Sequence, residues 1–350
     1  MKKITSLILI ISLVLSLTAC GVQSAEPSGV SETAAPTAAP VQTEEPVSAR
    51  EPIESASAAP ETGAAVVYMT TDISAEGMMA VYEALGVDLA GNNIAVKLST
   101  GEPPASNYLR PELIADLVQY VNGTIVECNT AYGGSRASNT LHYQVAEDHG
   151  FTAIADFVLL DEDGSMILPV EGGLQLSENY VGAHFADFDG YLVLSHFKGH
   201  AMAGFGGAIK NISIGIGSAE GKCVIHSAGK SHTSPWGGNQ DAFLESMADA
   251  GKSVVDALNG NILYVNVMNR LSIDCDCSGR PAEPDIHDIG ILASTDPVAL
   301  DQACVDLIYA AEGNASFVRR MEGQNGLHTL EAAEAIGLGT RSYTLVSIDG

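Results

Sequence analysis

Two histidines, two lysines and a run of glycines crowd the stretch Ser195–Gly217, which reads SHFKGHAMAGFGGAIKNISIGIG. Imidazoles exchange protons near neutral pH, and ammonium groups hold anions. His196, Lys198 and His200 are therefore the candidate catalytic residues, a histidine being the expected proton carrier. Gly204, Gly206 and Gly207 let a ligand or another strand approach the backbone closely. Together with Lys210 and Asn211 they are candidates for holding an anionic substrate or cofactor. The same pattern also fits a tight turn packed on a helix with solvated lysines. It is not a phosphate loop, because neither GxxxxGK[ST] nor GxGxxG is completed.

A second group lies at Ser272-Ile273-Asp274-Cys275-Asp276-Cys277. In an extended chain, residues two apart point the same way. Cys275 and Cys277 then offer two sulfurs to one cation, and a disulfide between them is geometrically poor. With His226 they form a candidate set for zinc, iron or nickel, since thiolate and imidazole suit the same borderline cations. The alternative is two buried thiols. Arg136 and His142 flank a polar loop, Asn129–Arg136, and are further candidates for holding a cofactor; equally, Arg136 pairs with a carboxylate and His142 only packs.

These residues need strands and helices to bring them together. The apolar run Tyr191–Leu194 reads as a buried strand leading into the glycine-rich stretch. Upstream, Val66–Met69, Asn93–Leu98 and Gly123–Cys128 read as strands. They alternate with helices opened by Ser74 and by Pro111. Helices are also expected from His142 to His149, from Asp241 to Leu258 and after the Asp296-Pro297 start signal. Strands are expected over Asn261–Val267, before Ala293 and over Tyr343–Ile348. The turn Asp161-Glu162-Asp163-Gly164 begins like a calcium loop but lacks the remainder of that pattern, which favours a hairpin turn. The alternation predicts an α/β fold, a largely parallel sheet with helices on both faces, as one large domain or two lobes.

Composition bounds the setting. The chain has 350 residues and a formal net charge of −27, which argues against nucleic acid and against docking on anionic lipid. Met1-Lys2-Lys3, the apolar run Ile4–Leu17 and Leu17-Thr18-Ala19-Cys20 match a bacterial lipoprotein signal. Residues 1–19 are expected to be removed and Cys20 to carry the lipid. Residues 20–63 are rich in Ala, Pro, Ser, Thr and Glu and read as a disordered tether. Residues 64–350 form the folded part. The expected location is the extracytoplasmic face of a bacterial membrane, with membrane contact through the lipid only. Five cysteines remain besides Cys20, an odd number that no full disulfide framework can satisfy.

Several motifs in order resemble one family: Asn129-Thr130-Ala131-Tyr132 with Arg136 and His142; His196–His200 with Gly204–Asn211; Gly221-Lys222 with His226-Ser227; Cys275-Asp276-Cys277; and Ile289–Asp301. The chain is similar, from about Val66 to Gly350, to the iron–sulfur-centre proteins of domain of unknown function 362. That resemblance implies no settled activity. The iron–sulfur name rests on members whose ferredoxin-like insert often follows the His-Ser motif. Here Pro235-Trp236-Gly237-Gly238-Asn239 stands there without cysteines, so a ferredoxin-type cluster is not expected. The segment His200–Lys210 is also similar to the glycine-rich His/Lys stretch of nickel-pincer lactate racemases. The expected ligand is a small molecule or a metal ion. The chain is then either a redox or proton-transfer enzyme, or a lipoprotein that captures its ligand without turnover.

Overall fold

A strand that is apolar at every position must be covered on both faces. Tyr191–Leu194 meets that demand at the centre of a strand running from Gly190 to His196, all of it buried. The computed structural model describes residues 63–350. The expected signal peptide, the lipidated Cys20 and the tether before residue 63 lie outside them. In chain order the first elements are β1 (Ala65–Thr70), α1 (Ala75–Ala84), β2 (Ile94–Lys97), α2 (Pro111–Tyr120), β3 (Gly123–Glu127) and α3 (Asn139–Asp148). Then come β4 (Phe157–Leu159), β5 (Ser165–Pro169), β6 (Glu178–Gly182), β7 (Gly190–His196), β8 (Lys198–His200) and β9 (Gly204–Gly206). They are followed by α4 (Ala208–Ser213), α5 (Ala219–His226), α6 (Gln240–Ala257), β10 (Ile262–Met268) and β11 (Gly290–Ser294). The last are α7 (Pro297–Ala310), α8 (Ala315–Gly323), α9 (His328–Ala335) and β12 (Tyr343–Ser347).

Eight strands form one sheet in the order β12-β1-β11-β10-β7-β2-β3-β4. Neighbours are parallel except at β11, which runs against both β1 and β10. The α/β class with a largely parallel sheet is therefore as the sequence predicts. Period-two alternation sorts side chains to two faces. Ala95, Val126, Val193 and Tyr264 pack beneath α4, α6, α7 and α9. Val96, Ile125, Leu192, Leu194 and Val265 pack beneath α1 and α2. Of the one-domain and two-lobe arrangements, the described residues take the first, falling within a single compact unit.

Local signals explain the element ends. Ser74 Oγ accepts from Gly77 N at 3.1 Å at the start of α1. Asp296 accepts from Val298 N and Ala299 N, each at 2.9 Å, with Pro297 opening α7. The Asp161–Gly164 turn is not a hairpin turn. β5 pairs with β6, not with β4, because Asp161 is buried and accepts from Asn129 N at 2.8 Å and Ala219 N at 3.0 Å. That carboxylate ties β3, the turn and the start of α5 together.

Among the described residues, no helix is long and apolar enough to cross a membrane.

Candidate functional site

In an open parallel sheet, ligands bind beyond the carboxyl ends of the strands, where strand order reverses. Here the order reverses between β7 and β2. A cleft lies at that point. It is lined from β2 by Lys97, from β3 by Glu127, from β7 by Ser195 and His196, and from α4 by Lys210 and Asn211. Its cavity volume is about 80 Å³, room for several water molecules.

The charge of this cleft opposes that of the chain. Lys97, Arg136, Lys198, Lys210 and Lys222 all line it, against the carboxylates Glu127 and Asp276. Four of the six lysines among the described residues thus meet in one place. Lys97 Nζ donates to Leu98 O at 2.6 Å and to Asn211 Oδ1 at 3.0 Å. Asn211 Nδ2 in turn donates to Leu194 O and Ser195 Oγ, both at 3.1 Å, which stitches α4 to β7. Lys222 Nζ donates to Gly217 O at 2.6 Å. Burial pushes Lys97 down to about 8, partly opposed by Glu127. Burial, helped by Lys198 and Lys222, pushes Lys210 down to about 7. Among the described residues, no carboxylate forms an ion pair with Lys210.

A buried network holds the β3 side. Arg136 Nη1 lies 3.2 Å from Glu127 Oε1, and its Nε lies 3.4 Å from Glu102 Oε2. His142 Nε2 lies 2.6 Å from Glu127 Oε2 and 2.9 Å from Thr100 Oγ1. Burial works to raise the Glu127 carboxyl, but Arg136 and His142 outweigh it and hold it well below the usual carboxylate range. Arg136 therefore pairs with carboxylates and also faces the cleft. His142 stands behind Glu127, off the cleft wall.

The opposite wall carries the CxC motif. Cys275 and Cys277 are joined in a disulfide with a Cα–Cα distance of 5.2 Å. The expectation of an extended segment is thereby corrected. Two extended residues would set their Cα atoms about 6.6 Å apart, whereas this loop curls. Arg270 adopts φ 44°, Ser272 N donates to Arg270 O at 2.7 Å and Ser278 N donates to Cys275 O at 2.9 Å. Asp276, which separates the two cysteines in sequence, is buried. Its Oδ1 lies 2.9 Å from His196 Nδ1 and its Oδ2 lies 3.2 Å from Lys198 Nζ. Burial would raise the Asp276 carboxyl, yet His196 and Lys198 hold it well below the ordinary range. His196 Nε2 faces Asn269 O at 2.7 Å, so both of its ring nitrogens are committed.

The metal-ligand set is corrected as well. The ligand atoms of His200, Cys275 and Cys277 lie within 4.8 Å of one another, and His226 is not among them. His226 is held on α5 by Lys222 O, 2.7 Å from its Nδ1, and stacks on Phe243. Burial lowers it to about 4. His200 Nδ1 accepts from Ala203 N at 2.9 Å and Met202 N at 3.2 Å. Its neutral ring then carries the proton on Nε2. With the disulfide closed and that lone pair spent, the group fits a metal ion only after reduction and rearrangement.

The structure thus gathers His196, Lys198, Gly207, Lys210, Asn211, Arg136, Cys275 and Cys277 around one cleft and leaves His200, His142, Gly204, Gly206 and His226 off its wall. Gly204 has φ 79° and shapes the β8–β9 turn back toward α4. At Gly207 a side chain would run into Asp301 Oδ1. Asp301 is buried and accepts from Ala208 N at 2.7 Å and Ile209 N at 2.9 Å, fixing the start of α4 and hence Lys210. Burial raises the Asp301 carboxyl to about 6. The candidate residues drawn from the sequence omitted Lys97 and Glu127, and gave Lys222 only as part of a family motif. The signal for the first two was a charge at the end of an otherwise apolar strand.

A family model described as "Domain of unknown function (DUF362)" matches residues 94–306. No curated protein matches the chain. Among solved structures, the lactate racemase apoprotein from Thermoanaerobacterium thermosaccharolyticum is 14% identical with a TM-score of 0.40, over 69% of this chain and 56% of that one. A protein from Thermotoga maritima is 13% identical with a TM-score of 0.38, over 75% of this chain and 58% of that one. The chain spans little more than half the length of either, and likenesses at these scores carry no argument about chemistry.

Proposed function

From the premise that the chain belongs to the DUF362 family, we propose that it binds a small organic anion in the cleft between β2, β3 and β7, outside the cytoplasm and tethered by Cys20. The observation that supports this most is the meeting of Lys97, Arg136, Lys198, Lys210 and Lys222 against two carboxylates in a chain of net charge −27. Guanidinium and ammonium groups in a partly desolvated pocket recognise carboxylate or phosphate. Lys210, at about 7 and without a carboxylate partner among the described residues, is the group best suited to move a proton to or from the bound anion. Titration calorimetry of the full chain with oxalate tests the reading. Binding that is lost in Lys210→Gln and Lys198→Gln supports it; equal binding by these variants, or none by the native chain, sinks it.

Catalysis and capture separate at Lys210. In an enzyme, Lys210→Arg would keep an anion bound and lose turnover; a capture protein has no turnover to lose. Zinc, iron or nickel at His200, Cys275 and Cys277 is a second reading, supported by their closeness. It predicts stoichiometric metal on the reduced chain and none on the oxidised one, measured by elemental analysis.

A further inference from the structure

The anion cleft and the CxC disulfide share a wall. Cys275, Asp276 and Cys277 line the same cleft as Lys198 and Lys210. A disulfide that only braces a loop has no need to face a cationic ligand site. Its two sulfurs also differ. Cys277 is the more exposed residue, whereas Cys275 is 7% exposed. Cys277 N donates to Cys275 Sγ at 3.2 Å. That hydrogen bond is in place to receive the charge that collects on Cys275 Sγ when the S–S bond breaks.

We propose that Cys275–Cys277 is a redox-active disulfide that exchanges with small thiols carrying carboxylates, which the cationic cleft admits. The step balances as follows. The thiolate RS⁻ attacks Cys277 Sγ, the S–S bond breaks and Cys275 leaves as a thiolate that accepts from Cys277 N. A second RS⁻ attacks the small-molecule sulfur of the mixed disulfide and releases Cys277. Two RSH are oxidised to RS–SR, and their two protons pass to Cys275 and Cys277. The same RS–SR drives the reverse reaction, so no further oxidant is needed. This inference rests on the reading of the cleft as an anion site.

The test uses the full chain without substitution. Its disulfide is reduced by mercaptosuccinate, 2-mercaptoethanol or cysteamine at equal thiolate concentration, and Cys275 and Cys277 are then alkylated and counted by peptide mass. Electrostatic attraction into a charged cleft changes encounter rates by about 10–10³. Mercaptosuccinate should therefore react at least about tenfold faster than 2-mercaptoethanol, and cysteamine more slowly than either. The order should collapse in 1 M salt and in urea, and oxalate should slow mercaptosuccinate alone. Quenched intermediates should carry the adduct on Cys277. Equal rates for the three thiols in the folded chain, an order that persists in urea, or an adduct confined to Cys275 would overturn the proposal. Oxalate calorimetry on the same sample separates the failures: oxalate bound without thiol preference removes the exchange alone, and no oxalate binding removes the anion reading beneath it.

Discussion

Anion binding at this cleft should be coupled to proton uptake. In the free chain, burial holds Lys210 at about 7 and Lys97 at about 8. An anion about 4 Å from an ammonium group, at an effective dielectric near 20, contributes about 4 kcal/mol. That is enough to raise Lys210 by about three pH units, so the bound form stays protonated to near pH 10. Above pH 7 each binding event must therefore take up a proton. Between pH 7 and pH 9 the Lys210 contribution weakens affinity about 50-fold and the Lys97 contribution about tenfold, together roughly 500-fold. Oxalate is the suitable ligand because it is fully ionised throughout that range. Calorimetry in two buffers of different ionisation enthalpy reads the proton uptake directly. Lys210→Gln should bind oxalate more weakly at pH 7 and lose most of the pH dependence. An affinity that is flat from pH 7 to pH 9, or equally steep in Lys210→Gln, would refute the reasoning.

Lys97→Met tests the cost of a buried charge. Lys97 lies below its unfolded value of about 10.5 when folded, so the unfolded chain binds more protons between pH 8 and pH 10.5 and native stability rises with pH there. Relative to the variant, the native chain should gain about 3 kcal/mol over that window in urea unfolding. Asp249 is fully buried and accepts from Leu174 N at 2.8 Å, Gln175 N at 2.7 Å and Leu176 N at 2.8 Å. Asp249→Ala orphans three donors and should cost about 3–5 kcal/mol, read as a lower urea midpoint at an unchanged slope. Gly207→Ala pushes on an Asp301 carboxylate that Ala208 N, Ile209 N and Asn266 Nδ2 hold in place. It should cost about 1–3 kcal/mol and weaken oxalate binding by moving Lys210.

The sheet was legible because its strands are long apolar runs with clear breaks. Tyr191–Leu194 and Asn261–Val267 allow few other readings, and Ser74 and Asp296 mark helix starts by a local capping chemistry. The glycine-rich stretch stood out as a candidate because cations are rare in this chain, and part of it lines the cleft. What escaped needed knowledge of neighbours. Lys97 ends β2 and becomes a cleft residue only because β3 and β7 flank that strand. Glu127 reads as a strand end until Arg136 and His142 arrive from α3 and the loop before it. Two-residue spacing cannot tell an extended CxC from a curled one. The positive φ at Arg270 decides that case, and no glycine or asparagine at that position announces it. His226 and His200 are equally suggestive in sequence, yet the α5 carbonyl and Phe243 claim one while the CxC loop folds beside the other.

The antiparallel insertion of β11 also has a mechanical side. Because β11 turns the direction twice, β1 runs parallel to β10 and begins at the end of the sheet away from the cleft. Any pull on the chain ahead of Ala65 enters there. β1 is gripped by five residue pairs with β12 on one side and three with β11 on the other. At its far end Asp349 takes Thr70 Oγ1 at 2.6 Å and Thr71 Oγ1 at 2.8 Å. Tension along the strand therefore loads both ladders together in shear, where bonds share the force, and not one at a time as in peeling. The load ends in the β12-β1-β11 border of the sheet, away from β2 and β3, so tension applied ahead of Ala65 is borne apart from the lysine cluster.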